Sequence, residues 1–101
     1  MKWNKETISE ELKKQLPYLK KEYGVIRIGL FGSFVRDDQR KDSDIDLMVE
    51  YKRPMGFKFF EMCDYLEEIF GRKVDVLTPG SIRSIRVPEV KEKIEKELTY
   101  V

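Results

Sequence analysis

The chain has 101 residues, enough for one compact domain that buries roughly two-thirds of its unfolded surface and too few for two. Charged residues make up 39% of it, yet 20 Lys and Arg nearly cancel 19 Asp and Glu. No global positive field therefore exists to coat nucleic acid, although a local basic patch stays open. With no histidine and the single cysteine Cys63, there can be no Ser-His-Asp triad, Cys-His pair, internal disulfide, or zinc site built on histidine or several cysteines.

Carboxylates, hydroxyls, Lys and Arg are left for any chemistry, and carboxylates suit Mg²⁺ or Mn²⁺. The Lys and Glu richness is of the kind found in heat-adapted proteins. No apolar run approaches the roughly 20 residues of a membrane span. Residues 1–6 have no apolar region of a signal peptide, so a cytoplasmic location is expected.

Thr7 or Ser9 is expected to cap a first helix, with Thr7-x-x-Glu10 in capping-box spacing. Its apolar stripe is Ile8, Leu12, Leu16 and Leu19; Pro17 should end or kink it, or begin a second helix, and Gly24 stops it. Residues 25–31 alternate as a strand, with Ile26, Ile28 and Leu30 on one face and Arg27 and Gly29 on the other. Gly32-Ser33 breaks that strand. A short helical turn over 34–36 and a polar loop over 37–43 follow.

Residues 43–51 form a second strand. Ile45, Leu47 and Val49 make its apolar face, and Asp44, Asp46 and Met48 point the other way. After a loop at 52–56, Phe59, Met62, Cys63, Leu66, Ile69 and Phe70 give a helix closed by Gly71. The aromatic stripe over 57–70 reads as core rather than a base-stacking platform, and Cys63 as a small core residue. A third strand over 73–77 turns Val74 and Val76 inward and Asp75 outward. Thr78-Pro79-Gly80 makes a turn, and residues 81–87 fit no single pattern. Pro88 starts a last helix with stripe Val90, Ile94 and Leu98; its charges over 91–97 read as a solvated face, and Tyr100-Val101 can dock the terminus. The order predicts an α/β (α+β) fold, a small mixed sheet with helices packed on one face.

If the third strand lies beside the second, about 4.8 Å away, Asp44, Asp46 and Asp75 share one patch of the sheet's open face. At about 4 Å and an effective dielectric near 20, each pair of anions costs roughly 4 kcal/mol, a penalty that bound Mg²⁺ removes. Two ions about 3.5–4 Å apart can hold the attacking and leaving oxygens of a phosphoryl displacement. Gly32 lets backbone N–H groups approach a phosphate, Ser33 adds a hydroxyl donor, and Arg36 is divided between phosphate contact and a surface ion pair. Arg72 and Lys73 read as surface charges. An EF-hand is excluded, because Leu47 stands where glycine is needed and Arg53 where the bidentate glutamate belongs. No Gly-Lys-Ser/Thr follows the turn, so a Walker A loop is excluded too.

The full string, Gly32-Ser33-x10-Asp44-x-Asp46 with Asp75 on a later strand, resembles the nucleotidyltransferase superfamily that includes DNA polymerase beta. It looks most like the minimal nucleotidyltransferase (MNT) domains of prokaryotes, on residues 28–33, 43–47, 71–79 and 97–101. The resemblance implies that Asp44 and Asp46 bind two Mg²⁺ ions and the triphosphate, while Asp75 completes one metal site and serves the acceptor hydroxyl. Gly32 and Ser33 would hold the β- and γ-phosphates. One departure is that the motif's arginine is often followed by glycine, whereas Arg36 precedes Asp37-Asp38. Minimal members are typically paired with a helical HEPN protein, often a ribonuclease toxin. The implied activity is therefore an antitoxin's transfer of AMP from ATP to a tyrosine of that partner. A contact-only masking module and nucleotide addition to RNA 3′ ends are the competing readings.

Overall fold

The computed structural model describes residues 2–101. Helix α1 (Lys5–Tyr23) leads into β1 (Val25–Phe31), the short α2 (Ser33–Arg36) and β2 (Ile45–Tyr51). Helix α3 (Lys58–Phe70), β3 (Val74–Leu77), α4 (Pro79–Arg83), α5 (Pro88–Glu97) and β4 (Thr99–Tyr100) complete the order. The sheet runs β3-β2-β1-β4; β2 and β3 are parallel, and β1 is antiparallel to both β2 and β4. The predicted mixed sheet is present, with β3 beside β2.

Its main core lies on one face. Ile28 and Leu30 of β1 and Ile45, Leu47 and Val49 of β2 pack against Ile8, Leu12 and Leu19 of α1 and Met62, Leu66 and Phe70 of α3. These are the period-2 and period-3.6 stripes read from the sequence. On the opposite face a smaller cluster of Phe31, Met48 and Ile82 is flanked by Leu77, Ile94 and Leu98, so α4 and α5 cover part of that side. Residues 81–87, which fit no pattern, contain the end of α4, and Ile82 is its buried anchor. Among the described residues no helix is long and apolar enough to cross a membrane.

Five local expectations are corrected. The cap of α1 is Asn4, not Thr7 or Ser9: Asn4 Oδ1 accepts from Thr7 N–H at 2.9 Å, and Thr7 Oγ1 accepts from Asn4 N–H at 2.9 Å. Thr7 thus plays the part the capping box usually gives to glutamate. Pro17 does not end α1, because Leu19 beyond it is fully buried and that burial outweighs one missing helical bond.

Ile26 is exposed, not inward. A bulge between Val25 and Arg27 inserts it into the ladder, and Val25 takes the buried place. The aromatic stripe over 57–70 is only partly core: Phe70 is buried, but Phe57 and Phe60 are exposed. Cys63 is half-buried, and burial raises its thiol pKa above the ordinary value.

Candidate active site

The parallel register of β2 and β3 sets Asp46 directly beside Asp75. Asp44, just before β2, is two residues from Asp46 and on the same side of the chain. The sheet thus brings the three acidic residues read from the sequence to one face, as the alternation requires. Lys73, one residue before β3, also reaches this face. Its Nζ lies 3.9 Å from Asp44 Oδ2 and 3.7 Å from Asp75 Oδ1. The sequence reading made Lys73 a plain surface charge; its ammonium lies within reach of two of the three carboxylates.

Asp46 is the most deeply set of the three. Burial, then the charges of Asp75 and Asp44, push its carboxyl up to about 6 from 3.8, and nearby Arg36 offsets part of the rise. A carboxylate held reluctantly ionised beside two others is a donor set that favours a hard divalent cation. Among the described residues no three acidic side chains stand close enough to cage an ion as they lie. Asp44 and Asp75 are partly exposed and face an exposed ammonium, so their carboxylates can be drawn toward a stronger cation.

The raised pKa has a stability consequence. Folded Asp46 titrates near 6 and unfolded near 3.8, so the native chain holds this proton more tightly. The stability it contributes is fully present below about pH 4 and is lost as pH rises through 6. In a chelator, Asp46→Asn should flatten the fall in melting temperature between pH 4 and 7 and raise the melting temperature at pH 7. A slope identical to wild type in thermal melts would refute this assignment.

Gly32 ends β1 under this cluster. Its φ of 85° and ψ of −155° lie in a region that only glycine occupies readily. A Cβ built there would overlap the Asp46 carboxylate oxygen and stand 3.0 Å from Asp46 Cγ. The glycine is therefore needed twice, for the turn and for the space that Asp46 fills. Ser33 follows as the half-buried first residue of α2.

Arg36, at the end of α2, makes two ion pairs, with Glu97 Oε1 at 2.8 Å and with Asp38 Oδ2 at 3.1 Å. Hydrogen bonds to Glu97 and then Asp38 raise its pKa further. Of the two roles open to Arg36, the ion pair is the one present. Asp37 adopts φ 61°, ψ 33°, the left-handed conformation a glycine would take, and its side chain is exposed. The negative charges after Arg36 therefore point outward or pair with Arg36 itself.

Two contacts escaped the sequence reading. Arg72 Nη1 donates to Ser43 O at 2.8 Å and its guanidinium lies 5.2 Å from the Phe34 ring centroid, tying the loop before Asp44 to the turn that leads into β3. Glu97, read as part of a solvated face, is largely buried: Gly32 N–H donates to its Oε2 at 3.0 Å. The available signal was its position three residues after Ile94, on the flank of the apolar stripe. A groove of about 760 Å³ borders the same loop, lined by Trp3, Phe34, Arg40, Lys41 and Arg72 among others, and is predominantly basic.

Residues 12–101 match the nucleotidyltransferase domain family. MJ0128 of Methanocaldococcus jannaschii, provisionally named a protein adenylyltransferase, is 43% identical over 95 residues, which cover 93% of this chain and 94% of that protein. Protein adenylyltransferase MntA of Thermococcus cleftensis is 36% identical over 84 residues, covering 82% of this chain and 81% of that protein. A solved structure provisionally named a minimal nucleotidyltransferase superposes with a TM-score of 0.71 at 26% identity, covering 96% of this chain and 95% of the other. A crystal structure of a toxin–antitoxin with AMP-PNP shares the fold at a TM-score of 0.63 and 20% identity, over 87% of this chain and 70% of the other. The glycine-serine turn and the acidic strands thus stand in a matching fold and in a matching sequence, and this chain belongs to the nucleotidyltransferase domain family.

Proposed function

We propose that this protein is a metal-dependent protein adenylyltransferase that moves AMP from ATP to a hydroxyl, a tyrosine of a HEPN-type toxin partner, and so acts as the antitoxin. The observation that carries the reading is the β2–β3 register, which sets Asp46 beside Asp75 above a glycine whose positive φ and lack of a Cβ leave room for the Asp46 carboxylate. The names of the relatives supply the reaction class, and the toxin–antitoxin structure that shares the fold supports the antitoxin role.

In this reading Asp44, Asp46 and Asp75 hold Mg²⁺, or Mn²⁺, which when bound neutralises the triphosphate and acidifies the acceptor hydroxyl. Gly32 N–H and the Ser33 hydroxyl donate to the β- and γ-phosphate oxygens. The acceptor oxygen attacks the α-phosphorus in line, its proton passes to Asp75, and the bond to pyrophosphate breaks. Asp44 and Asp75 are partly exposed, so a hydroxyl on another protein's surface can reach them.

Incubation with labelled ATP, Mg²⁺ and the co-expressed partner tests the reading. The partner should gain the mass of one or more AMP groups, and EDTA should abolish the gain. Neutralisation of the partner with no mass change would instead establish masking by contact, and label on RNA alone would establish 3′-end addition.

A further inference from the structure

We infer that the Glu97 carboxylate is a built-in stand-in for a nucleotide phosphate, holding the donors meant for the triphosphate until the nucleotide displaces it. The inference rests on the nucleotidyltransferase reading of the Gly32-Ser33 turn and assigns a part to a residue outside the acidic trio.

The geometry is that of a seated anion. One oxygen of Glu97 accepts from the Gly32 backbone N–H at 3.0 Å, and the other accepts from Arg36 Nη1 at 2.8 Å. A backbone amide beside a guanidinium is the donor pair that suits a phosphate's two oxygens. The Glu97 side chain is only 13% exposed, whereas most of the charged residues of α5 face solvent. The single Gly32 N–H cannot serve Glu97 and a triphosphate at once, and the Arg36 donors are already divided between Glu97 and Asp38. With Glu97 in place, an arriving triphosphate meets a fourth carboxylate and a neutralised arginine.

The element that carries Glu97 is suited to release it. No residue of α5 is fully buried; the helix rests on the sheet through the half-buried Ile94, with Leu98 packed just beyond its end. Glu97 is its last residue, and the backbone leaves helical geometry at Leu98 before joining β4. Rotation of the Glu97 side chain, with loosening of the last turn between Ile94 and the paired β4, frees Gly32 N–H and Arg36 together. Arg36 then has both roles, Glu97 partner in the empty protein and phosphate ligand in the loaded one. The measured nucleotide affinity is accordingly lowered by the fraction of chains in which Glu97 occupies the turn.

Calorimetric titration of the full chain with MgATP and with adenosine tests this. Glu97→Gln keeps an acceptor for Gly32 N–H but removes the charge. It should bind MgATP about tenfold tighter than wild type, with adenosine affinity unchanged, since adenosine has no phosphate to compete. If wild type binds MgATP and Glu97→Gln binds it equally or more weakly, the stand-in role is overturned and the nucleotide site survives. If neither binds MgATP, both readings fall. Should the variant not fold, hydrogen exchange in wild type decides: amides over 94–98 must exchange faster with MgATP, and unchanged or slower exchange overturns the inference.

Discussion

The double substitution Asp44→Asn/Asp46→Asn should lower kcat/KM for AMP transfer by about 10³-fold or more, equivalent to roughly 4 kcal/mol of barrier. Asparagine keeps the shape and one acceptor oxygen per residue but removes the charge that recruits a divalent cation. Asp46 carries the larger share, because it is the most buried of the trio and lies beside Asp75 in register. Folding should survive and, without metal, improve, since three mutually repelling carboxylates become one. Transfer within tenfold of wild type, in a variant whose melting temperature is maintained, would remove these aspartates from the chemistry.

Gly32→Ala is expected to cost about 2–3 kcal/mol of stability and to abolish nucleotide binding. The backbone conformation is strained for any side chain, and the new methyl group takes the volume of the Asp46 carboxylate. Either Asp46 swings away or β1 and β2 separate. The two causes are separable in a double-mutant cycle. Beside Asp46→Ala the methyl group has room, so the cost of Gly32→Ala should fall by about 1 kcal/mol, leaving the conformational part. Strict additivity in urea denaturation would mean that the collision with Asp46 plays no part.

The acidic trio was legible because strand alternation is a local rule. Asp44 and Asp46 had to share the face opposite Ile45 and Leu47, and Asp75 the face opposite Val74 and Val76. The neighbouring placement of β2 and β3 needed only the usual topology of a strand–helix–strand unit. Features set by one extra residue or by distant partners were not legible. Nothing in the alternation marks the bulge that expels Ile26, since Val25 and Ile26 are both apolar. Pro17 breaks a local rule that the burial of Leu19 overrides. Glu97 meets Arg36 across 61 residues and Arg72 meets Ser43 across 29, and no periodicity encodes such pairs. Asn4 was legible in principle, but Thr7 and Ser9 offered the same capping chemistry.

The parallel pairing of β2 with β3 also governs when the acidic trio is assembled. A parallel neighbour requires a crossover, here through α3, so Asp75 reaches Asp46 only after residues 52–73 have been made and folded back. During synthesis the earlier two aspartates emerge first, lacking their companion, and Glu97 arrives later still. In the proposed reading, a polypeptide that stops short of β3 lacks the third carboxylate of the metal site and is inert by topology, without any inhibitor.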